Sequence, residues 1–545
     1  MILRRLYLYL VSSASLVVLA AGLALLGATL LRFPLNDPTA DSSRGELAIY
    51  TAMVVVALPV WGVHFWFAQR AARDPYERAS ALRRLYLYFA CFAASIAAMI
   101  TVVATAVLLL QPVFDSNANF NALQAAQFGW ASVVLVAVLG SHFYIAWHDR
   151  AVVGEEGASA TLRRWYMYIA LLVGLFAMLN GTAALLQIAV TTIASGSSNR
   201  FLSGPAGLVV GGALLWAVHG RLIAVRYLAE DRHSTLRTLE GFIAVAVSIA
   251  TALVGASQIL YFVFARALGE DNPGNAGSNL AVAAAGPAAQ LLVFGVAWFL
   301  IRRRLGRDAE TQEADRQAAI RRLYTNLAAL ISLAAWALGA GMLLWTLAEQ
   351  AEAPLINVKA DDWKDPLSIS VTLLVVGAAV WGAHWRHSPW AADRQSFSRK
   401  LYVWAAMLGS VLAALFAGVG IVNAVLRQAF SAQPRLDDRA NLDFGHFLAV
   451  IVVAAAVGFY HWRVLRGDAA ARPARQAPSP AVKVAEPATI TSPATATAET
   501  LGPHARRFTL VVTDATEDDV HTALASLPPQ ASYHLTPTEQ AVDGH

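Results

Sequence analysis

Tyrosine and histidine recur together at fixed positions of a repeated pattern in this chain of 545 residues. Each histidine lies where an apolar segment returns to polar sequence, as in Trp-Gly-Val-His (61–64). Each tyrosine opens the preceding apolar segment just after basic residues, as in Arg-Arg-Leu-Tyr (4–7). The five pairs are Tyr7 with His64, Tyr86 with His142, Tyr166 with His219, Tyr324 with His384, and Tyr402 with His461.

Several kinds of chemistry are open to these histidines. A tyrosine hydroxyl and an imidazole at the same depth can form a hydrogen bond that fastens two helices. Histidines facing each other from two helices can ligate haem iron, and histidine can also sense pH or bind a ligand. Recurrence in five of six units favours a structural role, because haem needs paired histidines across a gap. We therefore predict that the Tyr–His pairs fasten helices at the membrane interface, within a unit or between adjacent units.

The chain lacks the sequence signatures of catalysis. It contains no phosphate-binding loop, dinucleotide fingerprint, nucleophile elbow or metalloprotease helix. Its single cysteine, Cys91, excludes a disulfide within the chain and a multi-cysteine metal site. The sequence therefore predicts no catalytic residues, no cofactor and no metal, and hence a protein that is not an enzyme.

Composition identifies the class of protein. The chain is 57% hydrophobic and only 14% charged, whereas soluble domains carry about 25% charged residues. Twelve apolar runs recur along it, and each approaches or exceeds the ~20 residues that a helix needs to span a bilayer. The backbone of such a run must satisfy its own hydrogen bonds in lipid, so each run is a helix. We predict an all-α membrane protein with twelve transmembrane helices.

The apolar runs form a two-helix unit that occurs six times, and such a period indicates a repeat architecture. A two-helix unit returns the chain to the side from which it started, so the six units are parallel repeats. The predicted units are residues 1–75, 76–152, 153–230, 231–310, 311–390 and 391–466. The fourth unit is degenerate, with Glu240 and Ala297 at the tyrosine and histidine positions. An Ala-, Pro- and Thr-rich disordered linker at 467–505 and a small βαβ-like cytoplasmic tail at 506–545 follow.

Polar residues inside the predicted helices raise the question of transport. No Asp, Glu, Lys or Arg lies in the central part of any helix, which argues against a proton relay or a charge-coupled pump. Hydrogen bonding between helices is the simplest role for the polar residues that remain. A water-filled cavity lined by them would instead indicate a transporter. These candidates are Asn180, Gln187, Gln258 and Asn423.

Basic residues are distributed unequally between the two sides of the membrane. Of the 41 Lys and Arg residues, 29 fall on the side of the N-terminus, nine in the opposite loops and three in the tail. Positive residues in short loops mark the cytoplasmic side, so we predict a bacterial inner (plasma) membrane protein with both termini in the cytoplasm. Topology accounts for the basic residues, and we predict no nucleic-acid partner. The expected partners are the lipid bilayer and a protein bound through the C-terminal tail.

The Arg-Arg-Leu-Tyr-x-Tyr opening at 4–9 and 83–88, followed by a long helix rich in Gly, Ala and Leu and a returning helix, resembles an uncharacterised family. That family consists of bacterial multi-pass membrane proteins built from a repeated two-helix domain of unknown function. The resemblance covers about residues 1–466 and implies no functional residues, because the family has no established activity. A non-enzymatic membrane scaffold or interaction protein is the leading prediction. The alternatives are a transporter or channel for a neutral or weakly polar substrate, and a redox protein that binds haem or quinone.

Overall fold

The computed structural model describes most of the membrane region. The described residues are 2–35, 37–116, 119–196, 201–231, 234–275, 277, 279–309, 315–356, 362–385, 396–430 and 443–470. The predicted tail at 506–545 lies outside them, as does the predicted linker beyond residue 470. The first four residues of that linker continue the last helix.

Twelve helices of the described chain are long and apolar enough to cross a membrane. The prediction of an all-helical chain with twelve such helices is therefore confirmed for the described residues. The helices are α1 (Ile2–Leu30), α2 (Arg44–Ala71), α3 (Ala81–Phe114), α4 (Ala122–Val153), α5 (Gly157–Ser195), α6 (Ser203–Asp231), α7 (Thr235–Ala267), α8 (Leu280–Ala309), α9 (Asp315–Glu352), α10 (Lys364–Trp385), α11 (Phe397–Phe430) and α12 (Asp443–Ala470).

Local sequence explains several helix ends. The side chain of Asn121 accepts a hydrogen bond from the amide of Gln124 at the start of α4, and Ser234 caps α7 in the same way. These caps satisfy backbone amides that have no partner within the helix. Gly196 ends α5 in the left-handed conformation, with φ of 67°, which glycine adopts without steric cost. Helix α6 changes near its end, where Val218–Ile223 is π-helical and Ala224–Tyr227 is a 3₁₀ turn.

The helices pack in a regular order. Consecutive helices form the hairpins α1–α2, α3–α4, α5–α6, α7–α8, α9–α10 and α11–α12. Each odd-numbered helix also packs on the even-numbered helix of the next unit: α1 on α4, α3 on α6, α5 on α8, α7 on α10 and α9 on α12. Neighbouring odd-numbered helices contact one another as well. Within the described part of the chain, no comparable packing joins the first unit to the last.

Small residues allow the two helices of each hairpin to approach closely. Gly22, Gly181, Gly255 and Gly339 occupy the same position of their units. A Cβ atom at Gly255 would lie 2.4 Å from the carbonyl oxygen of Pro287 in the partner helix, and one at Gly181 would lie 2.7 Å from that of Pro205. Small residues at helix crossings are how membrane helices gain packing contacts.

Candidate functional site

The five Tyr–His pairs lie at one end of the helices, which we call the N-terminal face because the odd-numbered helices begin there and the even-numbered helices end there. Tyrosines come from odd-numbered helices and histidines from even-numbered ones. Four pairs have the tyrosine hydroxyl within hydrogen-bond distance of the histidine Nε2. The distances are 3.2 Å for Tyr7–His64, 3.1 Å for Tyr86–His142, 2.8 Å for Tyr166–His219 and 2.9 Å for Tyr402–His461.

The second nitrogen of each histidine is also engaged. Nδ1 lies 2.7–2.9 Å from a backbone carbonyl one turn earlier in the same helix, as for His64 with Val60 and His219 with Leu215. The same contact holds for His142, His384 and His461. A carbonyl can only accept, so Nδ1 carries the proton and Nε2 is the acceptor. The tyrosine hydroxyl of the four bonded pairs therefore donates to Nε2, and both ring nitrogens are satisfied.

The fourth and fifth units depart from this arrangement. In the fifth unit the rings of Tyr324 and His384 meet edge-on with centroids 5.9 Å apart, and no hydrogen bond joins these two described side chains. In the fourth unit Glu240 takes the tyrosine position and forms an ion pair with Arg304 of α8. Glu240 is 5% exposed, so the degenerate unit replaces a neutral hydrogen bond by a charged one.

Tryptophan extends two of the pairs across a boundary between units. Trp61 of the first unit donates from Nε1 to the hydroxyl of Tyr86 in the second, at 3.2 Å. Trp381 of the fifth unit donates to Tyr402 of the sixth, at 2.9 Å. In both cases the tryptophan donates to the tyrosine hydroxyl, and that hydroxyl donates in turn to the histidine. These contacts join neighbouring units, whereas each Tyr–His bond joins the two helices of one unit.

Ion pairs lie beside the Tyr–His pairs at the N-terminal face. Arg83 Nε lies 2.6 Å from Asp149, Arg163 contacts both Asp231 and Glu155, and Arg399 Nε lies 2.8 Å from Asp468. Arg5 forms two 2.7 Å hydrogen bonds with Glu77. Arg83 and Arg163 are at most 2% exposed. Hydrogen bonds between a guanidinium group and a carboxylate are strong because both groups are charged, so these pairs hold neighbouring helix ends together.

Sequence reasoning missed the tryptophan donors and the acidic partners of the arginines. A signal for both was present in the repeat. Trp61 and Trp381 stand at the same distance before their histidines. Arg83, Arg163 and Arg399 stand at one common distance before their tyrosines, whereas Arg5 is one residue closer to Tyr7. Asp149 and Asp468 likewise stand at the same distance after the histidines of their units, His142 and His461.

The four candidate intramembrane polar residues do not come together. Asn180, Gln187, Gln258 and Asn423 are all exposed on the surfaces of their helices. Asn180 donates to the carbonyl of Phe176 in its own helix, at 2.8 Å. Asn423 approaches Arg427 one turn later. Gln187 packs against Gly286 of α8.

A half-enclosed cavity of about 320 Å³ lies between α1, α3 and α4. Its lining is made largely of alanine, and Ser13, Tyr86 and Thr101 are the polar residues that border it. None of the four candidate intramembrane polar residues contributes to it. Elsewhere in the described chain, no three His, Cys, Asp or Glu side chains lie close enough together to hold a metal ion. The arrangement at the N-terminal face can therefore fasten helices, and in the four bonded pairs both histidine nitrogens are already occupied.

Comparison with known proteins identifies the family. Residues 5–139, 164–288 and 322–456 each match the family described as Domain of unknown function (DUF5671), and together they cover more than half of the chain. The chain belongs to the DUF5671 family. No curated protein and no solved structure gives a significant match.

The three DUF5671 matches share one register with the units. They begin at Arg5, Arg164 and Arg322, two residues before the tyrosine of the first, third and fifth units. Each match then runs through three helices and ends in the fourth. One DUF5671 domain therefore corresponds to two units, and the degenerate fourth unit is the second half of the middle domain.

Proposed function

We propose that this DUF5671 protein is a non-enzymatic membrane scaffold, in which six helix hairpins hold a fixed surface in the bilayer. The single observation that carries this proposal is the state of the recurring histidines. In four pairs Nδ1 donates to a carbonyl of its own helix and Nε2 accepts from a tyrosine. A metal or haem iron binds the same Nε2 lone pair that the tyrosine occupies. The recurring residues therefore serve the packing of the fold.

The cavity supports the same proposal. A path for polar solutes needs polar groups or water along its wall, whereas the lining of the cavity between α1, α3 and α4 is mostly alanine, leucine and valine. Gln258 and Asn423 are exposed on their helices and are not among the residues that line this cavity.

We further propose a bacterial inner (plasma) membrane location with both termini in the cytoplasm. The excess of basic residues on the side of the N-terminus supports this orientation. On this view the C-terminal tail extends from the scaffold into the cytoplasm and binds a protein partner there.

Absorption spectroscopy combined with unfolding measurements tests the scaffold. Purified full-length protein in lipid nanodiscs should show no Soret band and no stoichiometric metal. His142→Ala and His219→Ala should lower the free energy of unfolding without changing the spectrum, because each leaves a buried tyrosine hydroxyl without its acceptor. A Soret band that disappears in either variant would establish haem ligation and refute the scaffold.

A second measurement addresses transport. Proteoliposomes containing the protein should be no more permeable to small neutral solutes than liposomes containing an unrelated twelve-helix protein. Solute flux that is lost when Gln187 is replaced by Leu would favour a transporter, since Gln187 is an intramembrane polar residue that contacts a second helix.

A further inference from the structure

The five junctions between units each have a polar contact at the face opposite the N-terminal face, although the residue types differ. In each, the start of an even-numbered helix from α4 onward contacts the end of the odd-numbered helix of the preceding unit. The five contacts are Gln127 Nε2 to the Ala28 carbonyl (2.8 Å), the Ser203 amide to Asp115 (2.8 Å), Asn279 Nδ2 to the Ala194 carbonyl (3.2 Å), Tyr261 to Asp365 (2.8 Å), and His446 Nε2 near Glu349 (3.7 Å).

Apolar residues fill the middle of the first two junctions. In the junction between the second and third units, Val103 and Val107 of α3 lie against Gly207 and Gly211 of α6. In the junction between the first and second units, Val134 of α4 takes the position of Gly211 and is 8% exposed.

Aromatic side chains close three of the junctions at the N-terminal face. In these three, the residue two positions after the tyrosine position of one unit, which holds Glu240 in the fourth unit, packs on the tyrosine of the next. The ring centroids are 5.6 Å apart for Tyr9–Tyr86, 6.0 Å for Tyr88–Tyr166 and 5.5 Å for Phe242–Tyr324.

The first and last units each present one half of such a junction. On α11, Leu415 and Val419 occupy the positions of Met99 and Val103 and are 58% and 61% exposed. On α2, Ala52 and Val56 occupy the positions of Gly207 and Gly211, and Val56 is 63% exposed.

Lipid alone could cover these apolar faces, because membrane helices gain little from burying apolar surface against each other. The aromatic residues distinguish this pair of faces from an ordinary lipid-facing surface. Tyr7 is 58% exposed, whereas Tyr86 at the same position of the second unit is 3% exposed. Trp404 stands two positions after Tyr402 and is 56% exposed.

The exposed faces of α11 and α2 also carry opposite charges. Arg427 lies exposed near the end of α11, and Glu46, 47% exposed, lies at the start of α2, where it pairs with Arg32 of its own chain at 3.1 Å. These two ends would meet if α11 packed on an α2 as each earlier odd-numbered helix packs on the next even-numbered one.

We propose that the last unit of one copy docks against the first unit of a second copy, so that α11 packs on α2 in a sixth junction of the same kind. Such a contact is heterologous and continues the row of units from chain to chain. In this junction Trp404 covers Tyr7 of the next copy, and Arg427 becomes a second cationic partner of its Glu46, beside Arg32. The inference rests on the proposed scaffold and gives it a partner, which is a second copy of this chain.

Cysteine cross-linking between two tagged copies tests the docking. Two full-length chains with different tags, both carrying Cys91→Ala, are co-expressed, one with Ala52→Cys and the other with Val419→Cys. Gly207 and Val103 are the corresponding contacting residues of the internal junction, so the two cysteines should fall within the ~7 Å between Cα atoms that a disulfide needs. Oxidation should link the two tags in most of the protein. The control pair, Leu58→Cys with Val425→Cys, lies on other exposed sides of α2 and α11 and should give at least tenfold less product.

Charge reversal supplies the second measurement. Glu46→Arg and Arg427→Glu should each lower the cross-linking yield severalfold. The two changes combined in one chain should restore part of it, because Glu46→Arg also removes the ion pair with Arg32. Absence of a cross-link between tags, or a Val419–Val419 product without the Ala52–Val419 product, would overturn the docking. Either result would leave the scaffold standing, because that proposal is decided by the absorption spectrum and the histidine variants.

Discussion

At the scale of single residues, the Tyr–His pairs show how a polar group is accommodated near the membrane interface. Each histidine uses Nδ1 to bond its own helix, and this bond fixes which nitrogen remains to accept. Tyr86, Tyr166 and Tyr402 are at most 4% exposed, so their hydroxyls depend on that acceptor. A buried polar group without a partner costs free energy, which is why tyrosine and histidine recur together.

The fifth pair provides a control for the energy of this hydrogen bond. We expect Tyr86→Phe and His142→Ala to be coupled by about 1 kcal/mol in a double-mutant cycle. The same cycle on Tyr324 and His384, whose rings touch without a hydrogen bond, should give a coupling close to zero. Unfolding in mixed micelles of increasing SDS fraction measures both. Equal coupling in the two cycles would show that ring packing, and not the hydrogen bond, joins the helices.

The buried ion pair of the third unit should contribute more to stability than its exposed neighbour. The side chains of Arg163 and Asp231 are 2% and 1% exposed. Asp231→Asn leaves a buried guanidinium group without its main partner, and breaking such a pair costs roughly 3–5 kcal/mol. Glu230→Gln alters an ion pair whose carboxylate is 52% exposed, and we expect less than about 1 kcal/mol. The same SDS titration compares the two variants, and a larger loss for Glu230→Gln would contradict this account.

At the scale of helices, hairpin geometry depends on one position in each unit. Gly22, Gly181, Gly255 and Gly339 stand there, with Ala417 in the sixth unit and Thr101 in the second. The backbone of the returning helix passes close to the glycine in each case that has one. The repeat therefore conserves its crossing point along the chain even where its tyrosine and histidine are lost, as in the fourth unit.

A glycine at the crossing should not tolerate a methyl group. Gly255→Ala places a Cβ atom 2.4 Å from the Pro287 carbonyl, and relieving this overlap should cost roughly 1–3 kcal/mol. Gly295→Ala in α8 is the matched control, because nothing lies within 4 Å of its added Cβ. Alanine favours a helix over glycine by up to about 1 kcal/mol, so the control should be neutral or stabilising. Destabilisation of both variants to the same degree would indicate that contact at the crossing is unimportant.

The helices were predictable from the sequence because an apolar run in lipid has few alternatives to a helix. The grouping of Tyr86 with His142 was predictable because the repeat places both at one depth. The failure of Tyr324 to bond His384 was not, since a small displacement between helices leaves no trace in residue spacing. The ion pair of Glu240 with Arg304, which replaces the Tyr–His pair in the fourth unit, was not predictable either. In the sequence, the absence of both tyrosine and histidine indicates only that the repeat has degenerated there.

At the scale of the whole molecule, the unequal distribution of charge bears on orientation. Even-numbered helices return the chain to the face from which the odd-numbered helices start, so residue 2 and residue 470 lie on the same side of the membrane. Arg5, Arg83 and Arg163 at this face are held by acidic partners, and exposed arginines such as Arg70 and Arg466 rest on tryptophan rings. The paired arginines therefore hold the helix ends together, and the exposed arginines are the ones whose positive charge indicates which side of the membrane is cytoplasmic.

Labelling of single cysteines in intact cells tests this orientation. In a Cys91→Ala background, Asn119→Cys and Asp271→Cys lie in exposed turns of the face opposite the N-terminal face, and Arg73→Cys and Glu156→Cys lie in exposed turns of the N-terminal face. Basic residues are retained on the cytoplasmic side during insertion, so a membrane-impermeant maleimide should label the first two and spare the last two. All four should be labelled once the membrane is opened, which controls for accessibility. Labelling of Arg73→Cys and Glu156→Cys in intact cells would reverse the orientation and place both helix termini outside.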